Sequence, residues 1–138
     1  MPNPVPAVSA LLLVLSLAAC VPSEPPLPSG AEDFASYCAA CHGASGTGNG
    51  ALATTLSRRP ADLTKLAARN GGTFPTTRVM AKIWGYTGGK TGSVMPNFGP
   101  LLEGDTMPYD GGDGIETPTP IRLVQLAEHV KGLGAESN

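Results

Sequence analysis

Cys38, Ala39, Ala40, Cys41 and His42 stand in a row as Cys-x-x-Cys-His. Two thiols three positions apart can each form a thioether to one vinyl group of a haem, and the imidazole that follows can bind its iron. The spacing therefore points to one covalent haem c, held by Cys38 and Cys41, with His42 as an axial metal ligand. Such chemistry belongs to an oxidising, extracytoplasmic compartment.

Composition agrees with a bound porphyrin. The 138 residues suffice for one domain with a modest core. Only three Phe, three Tyr and one Trp are present, few for so small a fold, and a buried haem would supply the missing flat apolar surface. Eighteen Gly and 14 Pro imply many loops and short helices. No long strand pattern is visible, so the expected class is all-α.

The third cysteine, Cys20, follows an apolar run from Ala7 to Ala19. Thirteen residues fall short of the ~20 that cross a hydrocarbon core, which favours the core of a signal peptide. Leu17-Ala18-Ala19-Cys20 resembles a bacterial lipobox. That resemblance implies cleavage before Cys20, lipidation of its sulfur, and a protein anchored on the periplasmic side of a membrane. The alternative is ordinary cleavage near Cys20 and a soluble periplasmic protein. Val21 to Ser29 then holds four prolines in nine residues, the composition of an extended tether. The expected organisation is a signal peptide at 1–19, a lipidated Cys and tether at 20–29, one domain at 30–134 and a tail at 135–138.

Several helices must place the haem-binding residues. Ser29 and Glu32 have capping-box spacing, and Glu32 and Asp33 suit the positive end of a helix dipole. The first helix is expected from about Gly30 to Cys38, delivering the cysteines and His42 at its end. A Gly-rich loop follows at Gly43, Gly46, Gly48 and Gly50. Asp62 can start a short helix carrying Leu63, Leu66 and Ala67, stopped by Asn70, Gly71 and Gly72. A third is expected from Thr76 or Thr77 to Gly85, burying Val79, Met80, Ile83 and Trp84. The last has Thr119 as N-cap, Pro120 at its first position, an apolar face of Leu123, Leu126, Ala127, Val130 and Leu133, and an end at Gly132 and Gly134. Between Gly85 and Thr117 the frequent Gly and Pro predict an irregular, functional loop.

The chain resembles a class I cytochrome c, a small all-α monohaem carrier with short helices and long loops around its haem. Gly30, Phe34, Cys38, Cys41 and His42 carry the match at one end, and Leu126 through Val130 carry it at the other, with His129 where the family has an aromatic. The resemblance implies a close crossing of the first and last helices. It also implies that the carbonyl of Pro60 accepts from the other ring nitrogen of His42 and so orients the ring. Met95, in Val-Met-Pro-Asn-Phe-Gly, resembles the family's Met-Pro-x-Phe loop and is the expected sixth ligand. Met107, in Thr-Met-Pro-Tyr, is the fallback. Met80 at helical spacing reads as core, and His129 as a structural histidine.

The function implied is single-electron transfer between respiratory or dehydrogenase partners at the membrane. No small molecule is transformed and no nucleic acid is bound. Alternatives are a haem subunit of a periplasmic dehydrogenase or oxidase complex, and a ligand-binding or peroxidatic haem protein. Gly89-Lys90-Thr91 echoes the end of a P-loop, but Trp84 stands where that motif needs Gly. The net charge of -2 is unevenly spread: seven basic residues between 58 and 90 face only Asp62, whereas residues 101–138 hold seven acids against Arg122 and Lys131. Such a dipolar surface can orient a transient redox partner, with an attraction that salt weakens.

Overall fold

The computed structural model of the protein describes residue 1, residues 25–86 and residues 94–135. The expected leader, Cys20, the first part of the tether, Gly89-Lys90-Thr91 and residues 136–138 lie outside the described residues. Five α-helices and one small hairpin follow in order: α1 (Gly30–Tyr37), α2 (Ala39–His42), α3 (Thr76–Trp84), α4 (Gly99–Leu102), β1 (Thr106–Asp110), β2 (Glu116–Pro120) and α5 (Ile121–Ala135). Two single turns of 3-10 helix, Leu63–Lys65 and Ala68–Asn70, lie between α2 and α3.

Local chemistry accounts for most of these boundaries. The capping box forms at α1: Ser29 Oγ accepts from the Glu32 N–H, and the Glu32 carboxylate accepts from the Ser29 N–H at 2.7 Å. Cys38 caps α1 at its C-terminal end and opens α2, so the haem-binding motif occupies a one-turn helix of its own. Asp62 accepts from the Thr64 N–H at 3.0 Å and the Thr64 hydroxyl at 2.6 Å, which starts a 3-10 turn where a longer helix was expected. Gly71 ends the second turn at φ 67°. Helix α3 stops at Gly85, whose φ of 102° is unfavourable for a residue with a Cβ.

Two expectations need correction. The stretch from Gly85 to Thr117 contains an antiparallel hairpin, pairing Thr106 with Pro120 through Asp110 with Glu116. Its tip is closed by Asp110, whose carboxylate accepts from the N–H groups of Gly112, Asp113 and Gly114. Three prolines stand in these strands, and a two-stranded ribbon tolerates them because each strand has one unpaired edge. Thr119 and Pro120 accordingly finish β2, and α5 begins at Ile121. It also runs through Gly132 and Gly134 to Ala135, with Gly134 lying close to the Thr64 carbonyl. The class remains mostly helical.

The core lies where α5 crosses the other helices. Phe34, Cys38, Met80, Ile83, Leu102, Leu123, Val124, Leu126, Ala127 and Val130 are buried together, half of them from α5. The crossing of α1 and α5 is close: a Cβ on Gly30 would stand 2.1 Å from the Gln125 carbonyl oxygen. His129 fills the aromatic's place, its ring 5.1 Å from that of Phe34.

Candidate haem site

The two thiols and the imidazole are brought to one short helix. Cys38 is buried, Cys41 and His42 are half-buried, and neither thiol is in a disulfide. Burial pushes the Cys38 thiol up to about 11, with smaller contributions from Asp33 and Cys41. The shift marks a dry position for this sulfur, one that suits an uncharged thioether better than a thiolate.

The glycine loop folds back on α2 and fixes its carbonyls. Gly48 N–H donates to the His42 carbonyl at 2.7 Å, Gly50 N–H to the Cys41 carbonyl at 3.1 Å, and Leu52 N–H to the Ala40 carbonyl at 2.9 Å. Leu63 N–H then donates to the Gly46 carbonyl at 2.7 Å, bringing residues 60–62 alongside His42. Glycine is needed here for space: a Cβ on Gly50 would be 2.4 Å from the Ala40 oxygen.

His42 Nδ1 lies 2.9 Å from the carbonyl oxygen of Ala61. A carbonyl can only accept, so Nδ1 carries the proton and Nε2 keeps its lone pair for a metal. The expected acceptor was Pro60, one residue earlier. Its carbonyl instead faces Gly48, where a Cβ would stand 2.5 Å away.

The methionines separate clearly by environment. Met95 is partly buried and packed against the hydrophobic core, in the segment between α3 and α4. Met107 is on β1 opposite Thr119, with 39% of its surface exposed. Met80 is buried within α3. The Met95 segment is tied back to α3: Phe98 N–H donates to the Ile83 carbonyl at 3.0 Å, and the Asn97 side chain lies against Gly85 while accepting from the Gly99 N–H at 2.9 Å.

An ion pair joins a buried carboxylate on α1 to a half-buried guanidinium on α5, and it is not among the features expected from the sequence. Arg122, in the first turn of α5, donates from Nε to Asp33 Oδ2 at 3.0 Å and from Nη2 to Asp33 Oδ1 at 2.5 Å. Asp33 is only 2% exposed, and Arg122 Nη1 also reaches the Leu101 carbonyl at 2.6 Å. The available signal was a cation at a helix N-terminus, where the dipole disfavours it unless an anion is near. Part of the basic stretch is likewise structural: Arg69 donates to the Asp62 carbonyl and Arg78 to the Asn70 side chain, both at 3.0 Å. Arg58 and Arg59 remain exposed beside Pro60.

A groove of about 430 Å³ runs between α3 and the hairpin, bordered by Met80, Trp84, Tyr86, Tyr109 and Ile115. None of Cys38, Cys41, His42 or Met95 borders it. Among the described residues no group of three or more His, Cys, Asp or Glu could hold a bare metal ion. The donors gathered on α2 do fit a haem, which brings four nitrogens of its own: two unlinked thiols and one imidazole whose Nε2 is left for a metal. A family model described as Cytochrome c matches residues 29–107, more than half of the chain. No curated protein and no solved structure matches it.

Proposed function

The chain belongs to the cytochrome c family, and from that premise we propose that it carries single electrons through one haem c bound by Cys38 and Cys41, with His42 and Met95 as axial ligands. Covalent haem c and electron transport follow from the family itself. The bound haem supplies a one-electron couple, its iron passing between ferric and ferrous states.

The chain's own residues set how that couple behaves. Cys38 and Cys41 would hold the porphyrin covalently at the junction of α1 and α2, independently of the iron's oxidation state. The Ala61 carbonyl fixes the orientation and tautomer of His42, making Nε2 a constant donor in both states; this bond is the observation that carries the reading. Met95 offers a soft thioether, which favours the ferrous form and so raises the potential. Bound to the iron, it would also keep water and small ligands off it. No substrate is transformed.

The protein is tethered at the periplasmic side of a membrane through Cys20. The proline-rich segment gives the domain a short reach from the lipid, and a tether raises the effective concentration of membrane-bound redox partners. Uneven charge orients those partners, so transfer rates should fall with ionic strength.

Visible spectroscopy of the purified holoprotein tests the axial pair. Met95→Ala should abolish the sulfur-to-iron charge-transfer absorption and admit carbon monoxide to the ferrous iron, whereas Met107→Ala should change neither. The reverse pattern would assign the sixth position to Met107. Cys20→Ser should release the protein from membranes and remove the mass of attached acyl chains.

A further inference from the structure

We propose that Arg122 is a positioning residue for the sixth iron ligand: its guanidinium ties the helix that leads into Cys38 to the helix that follows Met95, and so holds the methionine at the iron. The inference rests on the assignment of Met95 and extends it to a residue outside the stretch matched by the family model, which ends at 107.

Three elements meet at this one side chain. Asp33 belongs to α1, which ends at Tyr37 immediately before Cys38. Leu101 belongs to α4, whose first residue, Gly99, is four beyond Met95. Arg122 itself belongs to α5. Both nitrogens of one guanidinium edge are engaged by the Asp33 carboxylate, and the remaining nitrogen by the Leu101 carbonyl. The Tyr37 and Phe98 rings lie 6.4 Å apart, adding a second contact between the end of α1 and the Met95 segment.

Geometry of this kind constrains more than it stabilises. A planar fork with fixed donor directions leaves little freedom to the groups it binds, unlike a flexible ammonium. Buried ion pairs contribute little net stability compared with apolar replacements of similar volume. What this pair adds is a set spacing between α1 and α4, and hence between the sulfurs of the haem attachment and the sulfur of Met95. Helix α4 has only four residues and cannot hold that position by itself. On its other side the segment is tied to α3, where Phe98 N–H donates to the Ile83 carbonyl and the Asn97 side chain lies against Gly85, so releasing Arg122 frees the anchor on the α1 side while that on α3 stays.

The experiment compares ferric holoproteins of the wild type, Arg122→Lys, the double variant Arg122→Met with Asp33→Leu, and Met95→Ala. The double variant leaves no unpaired buried charge, so it should fold. Imidazole is titrated as a competitor for the sixth position, and the charge-transfer absorption is recorded alongside thermal unfolding. We expect the double variant, folded, to bind imidazole at least about tenfold more tightly than the wild type, because apparent affinity scales with the fraction of open sites. The absorption should weaken in step, and Arg122→Lys should recover part of both. A role in stability alone would lower the unfolding temperature and leave absorption and imidazole affinity as in the wild type; that outcome overturns the proposal. If Met95→Ala retains the absorption, the ligand assignment falls and the proposal with it. If Met95→Ala loses it while the Arg122 variants keep it, only the proposal falls.

Discussion

The two sides of the proposed haem site are built differently. On the side of His42, residues 38–63 form one continuous stretch whose hydrogen bonds span short distances in sequence: Gly48 to His42, Gly50 to Cys41, Leu63 to Gly46, and His42 to Ala61. On the side of Met95, the Phe98 bond to Ile83 closes a loop no longer than those around His42, but Leu101 is held by Arg122 of α5, which itself pairs with Asp33, 89 residues away. Short loops cost little entropy to close, whereas the Arg122 tie exists only once α1, α4 and α5 have packed. The imidazole side should therefore be the firmer half and the methionine side the first to open.

The largest effect comes from removing the feature both sides share. Cys38→Ala with Cys41→Ala should eliminate covalently attached haem, read as loss of the haem-stained band after denaturing electrophoresis. A band that survives would mean that other residues hold the cofactor. Next comes the helix crossing that supports both halves. Gly30→Ala drives a methyl into the Gln125 carbonyl, and separating α1 from α5 should cost about 3 kcal/mol. Thermal unfolding should fall by on the order of 15 °C. A shift of a degree or two would show that the crossing can relax.

A matched pair of substitutions divides the two sides. Gly48 has φ 79° and would press a Cβ against the Pro60 carbonyl, a backbone atom; Gly85 has φ 102° and would press one against the Asn97 side chain, which can swing away. Gly48→Ala should cost about 2 kcal/mol of global stability, and Gly85→Ala about 1 kcal/mol. Only Gly85→Ala should weaken the methionine absorption, since Asn97 is two residues from Met95. Equal spectral changes in both would erase the proposed asymmetry.

The smallest effect concerns the hairpin. The Tyr109 hydroxyl donates to Glu128 at 2.6 Å. Burial first, and then Glu128, push the Tyr109 phenol up to about 12, while this hydrogen bond holds the Glu128 carboxyl below its usual range. A raised phenol means stability that is whole below pH ~10 and lost as pH rises through about 12. The lowered carboxyl means stability present above pH ~4.3 and lost as pH falls through the lowered value. Tyr109→Phe should cost about 1 kcal/mol at neutral pH and flatten both edges of the stability profile, leaving the haem spectrum unchanged. A spectral change would join the hairpin to the iron site.

Local signals in the sequence were read accurately where short-range chemistry decides. The capping box at Ser29, the stop at Gly85 and the stripe on α3 need only neighbouring residues. The start of α5 was misplaced by its best signals, Thr119 and Pro120, because cross-strand pairing with Met107 and Thr106 claimed both residues for β2. Helix α5 runs past Gly134 for a related reason: that glycine serves a close approach to Thr64, and packing outweighs the ~1 kcal/mol cost of glycine within a helix; nothing in the structure explains Gly132.

By itself the sequence determined the cofactor chemistry, because covalent attachment needs only two thiols and an imidazole at fixed spacing along one chain. It also marked Met95 and Met107 as candidate sixth ligands. Tertiary structure decided which carbonyl faces His42, which methionine packs against the core, and that Asp33 and Arg122, 89 residues apart, share one buried site. Bond-making groups are legible as letters in order. Orientation, burial and pairing depend on which distant surfaces exclude water from one another, and that is settled only when the helices cross.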